Sequence, residues 1–203
     1  MSSNNVIDLR VLLDKTEQNI KRIDIISGEF AVIVLNQWRY ATRHILTFLQ
    51  THLQCPQGGG VAVKEEELRM ATNHLKRAYF DSCDILIDCL LAKIRDYKDA
   101  YDYHIEIVKE YIPEYPEMRK RTQEAWRKHC DANGFTSEER EKNYDLYQNH
   151  VDDLWNFWLV LDDNAPVCDK IIRKKRRKEI LVFIGFVVAS ILIPICAWIF
   201  TKK

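Results

Sequence analysis

From Ile20 onward, apolar residues recur in steps of mostly three or four: Ile23, Phe30, Val34, Trp38, Ala41, Ile45 and Leu49. That spacing keeps one face of a 3.6-residue helix apolar and predicts an amphipathic helix. Val6–Leu13 reads as an earlier stretch of the same helix, with a bend at Ser27-Gly28 because glycine weakens a helix interior. Cys55-Pro56-Gln57-Gly58-Gly59-Gly60 breaks the pattern. A second helix opens near Val63 with Glu65, Glu66 and Glu67, acidic residues suited to the positive end of a helix dipole. It carries Leu68, Ala71, Leu75, Ala78, Ile85 and Cys89 on one face, and a neighbouring face continues through Leu86, Leu90, Ile94, Tyr97, Tyr101, Ile105, Val108 and Ile112. Pro113 stops it. Such a helix is about 70 Å long, and two long helices joined by a short glycine-rich turn predict an antiparallel hairpin.

Beyond Pro116 the elements shorten. A helix over about Glu117–Ala132 ends at Asn133-Gly134, a C-terminal stop signal. Thr136-Ser137-Glu138-Glu139 has the form of a capping box, with Thr136 bonding forward and Glu139 reaching back. The helix that follows carries Tyr144, Tyr147, Val151, Leu154, Trp158 and Leu161 in three/four alternation. Asn164-Ala165-Pro166 predicts its end, with Pro166 in the first turn of a last helix. No run alternates with period two, so the expected fold is all-α: a helical bundle over residues 1–165, built on the long hairpin.

The last helix changes character along its length. Lys170, Arg173, Lys174, Lys175, Arg176, Arg177 and Lys178 put seven cations into nine residues. From Ile180 to Phe200, 21 residues then follow without a charge, and 14 of them are Ile, Leu, Val or Phe. About 20 apolar residues cross a bilayer, so this run predicts one transmembrane helix. Cations stay on the cytoplasmic side, which leaves the N-terminal head there and sends Thr201, Lys202 and Lys203 across: a tail anchor. Residues 166–179 form a basic stem whose side chains suit anionic lipid headgroups. Inside the run, Gly185 and Ala189 make a small-xxx-small pair that permits close helix approach, with Cys196 on the same face. Pro194 lacks the N–H that would reach the Ser190 carbonyl.

Charge sharpens this division. The 30 basic and 30 acidic side chains cancel, yet residues 1–169 hold 21 and 29 of them and residues 170–203 hold 9 and 1. An anionic leaflet therefore attracts the stem and repels the head. The six cysteines, Cys55, Cys83, Cys89, Cys130, Cys168 and Cys196, have no C-x-x-C spacing and are too scattered for the framework of a small secreted domain. With no basic-then-apolar leader at the N-terminus, free thiols in a reducing compartment are expected.

Two motifs carry candidate chemistry. Asp152–Asp163 brackets Leu154, Trp155 and Trp158 with acidic pairs, and predicts a docking site for a protein partner. Arg39-Tyr40-Ala41-Thr42-Arg43-His44 and Arg69-Met70-Ala71-Thr72-Asn73-His74 share the form R-x-A-T-x-H. Their spacing resembles the Arg-x4-6-His signature of the helical HEPN nucleases, although the residue after Arg is Tyr or Met where that family has a polar one. The resemblance implies a general acid/base role for His44 and His74, and phosphate binding by Arg39 and Arg69. No P-loop, dinucleotide fingerprint, nucleophile elbow or Glu-x-x-His pair is present, so neither cofactor nor metal is expected, and no small-molecule substrate is evident. The leading expectation is non-enzymatic: the head binds a protein partner or itself at a membrane, as an adaptor or a membrane-perturbing oligomer, with no nucleic acid as partner. A membrane-tethered ribonuclease is the alternative.

Overall fold

The computed structural model describes residues 9–28, 31–54, 61–132 and 136–201, with backbone alone for 54, 61, 132, 137, 138, 141 and 195–201. Among the described residues every regular element is helical. The chain first forms α1 (Leu9–Ser27), whose Leu12, Thr16, Asn19, Ile23 and Ile26 make one buried stripe in steps of four and three. It ends at Gly28, which takes the left-handed conformation (φ 66°) and returns its N–H to the Asp24 carbonyl at 2.9 Å. The expected bend is thus a complete break, and α2 (Val32–Gln54) is a separate helix.

Antiparallel packing against α3 (Val61–Tyr101) follows, as the pattern predicts. Asn19 meets Ser82, Gln37 meets His74 and His44 meets Glu67, so α1 and α2 lie end to end along one helix about 60 Å long. The turn over 55–60 lies outside the described residues. Because α3 already begins at Val61, its three glutamates fall in the second turn, not the first. The expected continuation to Ile112 is also interrupted. Asp102–His104 tightens into a 3-10 turn, and α4 (Ile105–Tyr111) follows. Polar contacts hold that junction: the Tyr101 hydroxyl lies 3.3 Å from Asp169, and Arg119 donates to Asp102 at 3.0 Å.

Pro113 ends α4, and α5 (Tyr115–Ala132) begins two residues on, close to the expected start. The Asn133-Gly134 signal lies outside the described residues. At Thr136 the capping box closes both ways: its N–H reaches Glu139 Oε2 at 2.8 Å, and its hydroxyl accepts from the Glu139 N–H at 3.4 Å. After the short α6 (Ser137–Lys142), α7 (Tyr144–Thr201) runs 58 residues straight through Pro166 and Pro194. The helix expected to stop at Pro166 does not. Proline costs the bond to the Asp162 carbonyl, but Cys168 and Ile172 are buried just beyond. Packing outweighs the one missing bond.

The direction of α7 sets the architecture. Tyr79 bonds Gln148, Tyr97 bonds Asp162 and Tyr101 bonds Asp169, so α3 and α7 are parallel. Against them lies α1, whose Arg22 pairs with Asp152 at 2.7 Å and covers the Trp155 ring at 4.9 Å. These three helices enclose the core, with Leu86, Leu90, Val151 and Leu161 all 0–1% exposed. Two extensions project from it. Above Tyr79 only α2 and the first turns of α3 remain, a two-helix arm about 27 Å long. Below Ile172, α7 continues alone, exposed from Arg173 onward.

Candidate functional site

The two R-x-A-T-x-H motifs face each other on the arm. Antiparallel pairing brings His44 of α2 and His74 of α3 to 5.4 Å between ring centres, stacked within 12°. His44 Nδ1 lies 2.7 Å from Glu67, and His74 Nδ1 lies 2.8 Å from Gln37 Oε1. In the neutral tautomer that donates Nδ1–H to these oxygens, Nε2 of each ring is an acceptor. Burial first, then the nearby His44 and Arg77, pushes His74 below the usual imidazole range. The arginines do not join them. Arg69 forks onto Glu66 at 2.6 and 2.7 Å, and Arg39 lies over the Tyr40 ring at 5.4 Å.

The tryptophan segment is mostly interior. Leu154 is 2% exposed and belongs to the core, while Trp155 and Trp158 are half-buried with rings 5.1 Å apart, Trp155 beneath Arg22. Arg22 and Gln148 both satisfy Asp152, which stays below the usual carboxylate range although burial pushes the other way.

Two surfaces were not anticipated from the pattern. One is a cleft of about 340 Å³ between α3, α5 and α7, with Arg95, Lys98 and Arg119 around a floor of Leu91, Ile94 and Phe157. These basic residues come from two helices far apart in sequence, so no local signal joins them. The other is the outer side of the arm: Leu35, Leu46, Leu49 and Leu53 are 38%, 56%, 46% and 78% exposed. Leu49, expected on the packed stripe, is turned outward and Phe48 is half-buried in its place. Spacing could have found this one, because those leucines recur at coiled-coil intervals.

Polar links elsewhere are structural in form. His129 sits 5% exposed, 3.2 Å from Asp88 and 3.8 Å from Asp84, and Arg140 donates to Asp84 at 2.9 Å, tying α5 and α6 to α3. Among the described residues no cluster could hold a metal ion. Cys83, Cys130 and Cys168 are free thiols, and burial pushes Cys83 up to about 12.

At the other end, Lys170 and Arg173–Lys178 lead into the apolar run. The large apolar side chains from Ile180 to Ile193 are 38–72% exposed, around the whole circumference of α7. Nothing lies within 4 Å of a Cβ built on Gly185, and Ala189 is exposed too. The Ser190 hydroxyl bonds back to the Phe186 carbonyl at 2.8 Å. Among the described residues no helix is long and apolar enough to cross a membrane. The described side chains of the run stop at Pro194, short of the roughly 20 residues a span needs; residues 195–200, Cys196 included, lie outside them. Comparison with protein-family models, curated proteins and solved structures returned no match.

Proposed function

We propose that this chain is a single-pass membrane protein, anchored through residues 180–200, whose helical head binds a protein partner or a second copy on the cytoplasmic side. One observation carries the reading. Eleven large apolar side chains between Ile180 and Ile193 are exposed on all sides of α7, directly after a run of cations. A helix that served only as a packed element would hide a face. On the insertion scale, eleven such residues favour lipid by about 3–7 kcal/mol, and the sequence extends the run to Phe200. The stem suits headgroup phosphates, and the acidic head is repelled from them, so the head stands away from the surface.

The test is extraction of membranes with alkaline carbonate. The full chain should stay in the pellet, and a chain ending at residue 179 should be released. Release of the full chain would overturn the anchor.

A second reading keeps one observation in its favour: the stacked His44–His74 pair with both Nε2 atoms bare. In a ribonuclease one imidazole would accept a proton and the other donate one. The engaged arginines weigh against it. Purified protein that cleaves RNA, and loses cleavage with His44→Ala and with His74→Ala, would revive it; RNA left intact by the wild type removes it.

A further inference from the structure

The arm lacks a third helix. Below Tyr144, α7 lies on the stripe of α3 that carries Tyr79, Leu86 and Leu90, all buried. Leu68 falls on the same stripe eleven residues before Tyr79, yet is 40% exposed, because α7 does not reach that far. Alongside it on α2, Leu35, Thr42, Leu46, Leu49 and Leu53 follow at steps of seven, four, three and four, the intervals of a coiled-coil seam.

The geometry points to a second copy of this chain as the occupant: the α2 seam of each copy seats in the α2–α3 groove of the other, with the two arms antiparallel. Two hairpins then complete one four-helix bundle. This rests on the self-association part of the function proposed above and is independent of the anchor.

Fit, area and charge each support that occupant. The bare groove runs from the start of α7 to the first turn of α3, the full length of the two-helix arm, about 27 Å. Two helices wide, it offers about 540 Å² per copy, or about 1,100 Å² for the pair, just above the roughly 1,000 Å² that a specific interface should clear. Charge fixes the direction. Arg39 takes the seam position between Leu35 and Thr42. A parallel pairing would set Arg39 against its own symmetry mate, a repulsive contact. Since His44 is level with Glu67, and Gln37 with His74, Glu65 is level with Leu46. An antiparallel pairing centred between Thr42 and Arg43 places Arg39 of one copy across from Leu46 and beside Glu65 of the other.

The experiment uses the full chain in detergent micelles, with mass measured by sedimentation. The wild type should have the mass of two copies in the micromolar range. Arg39→Glu and Glu65→Arg should each weaken pairing about tenfold, since two-fold symmetry counts each reversal twice, and the double reversal should restore it. Leu46→Asp together with Leu49→Asp should give one copy with unchanged helicity, both side chains being exposed. A benzoylphenylalanine at Leu53 should crosslink near Val32 of the second copy. A crosslink to residue 53 itself would overturn the antiparallel arrangement, and a wild type that stays single would overturn the pairing. Carbonate extraction of the same variants reads the anchor separately, so the two proposals fail independently.

Discussion

His150 is a half-buried imidazole whose Nε2 has no hydrogen-bond partner. Burial, and then Lys128, lower its proton affinity; Asp153 pulls the other way and His129 adds to the lowering. His74 is shifted in the same direction. The folded head thus holds fewer protons than the unfolded chain once the pH falls below the ordinary imidazole value of about 6.5. The stability these residues lend is fully present above that value and is lost as pH falls through their folded values. Asp81 and Asp84 are raised, chiefly by burial, and so act in the opposite sense, but lower in the carboxylate range. Urea midpoints should therefore fall from about pH 7.5 to about pH 5.5, and His150→Gln should flatten part of that slope. A wild-type midpoint constant across the window would contradict this.

Single elements show what a local pattern can carry. The capping box at Thr136 and the stripe through Tyr147, Val151, Leu154 and Leu161 were legible, because each depends on residues within a turn or two of one another. The hairpin was legible as well, through two long apolar periods and a glycine-rich break. Pro166 misled because its cost is local, about 3 kcal/mol, while the burial of Cys168 and Ile172 that outweighs it comes from distant helices. Leu49 misled because two successive steps of four, from Ala41 through Ile45, carry it about 80° round the helix from Ala41, while Val34, Trp38, Ala41 and Ile45 stay on the packed side. Of the candidate site, the paired histidines were visible only as two separate motifs, and the cleft around Arg95 and Arg119 was not visible at all. At Gly28 a Cβ would meet nothing within 4 Å, so the cost of Gly28→Ala is one of backbone conformation alone. It should lower stability by about 1–2 kcal/mol, read from urea midpoints. An unchanged midpoint would mean that the left-handed turn is not needed.

At the scale of the whole molecule, a head rich in carboxylates and a cationic stem occupy opposite stretches of one rod. On the anchor proposed above, replacing Lys174, Lys175, Arg176 and Arg177 with Gln should weaken the preference for a cytoplasmic head, and protease protection of the head in sealed microsomes would measure it. A head as accessible as in the wild type would argue that the apolar run alone sets orientation.

The unbroken course of α7 also has a mechanical consequence. Because α3 and α7 run side by side in the same direction, a pull on the arm loads their seam lengthwise, across many contacts at once, instead of peeling it open from one end. Pro166 is the weak rung in that ladder, yet Cys168 and Ile172 clamp it against the bundle. The first residue of α7 with no other helix packed against it is therefore Arg173, at the start of the cations. On the anchor proposed above, this lone stretch of helix is what would carry any pull between the membrane and the arm.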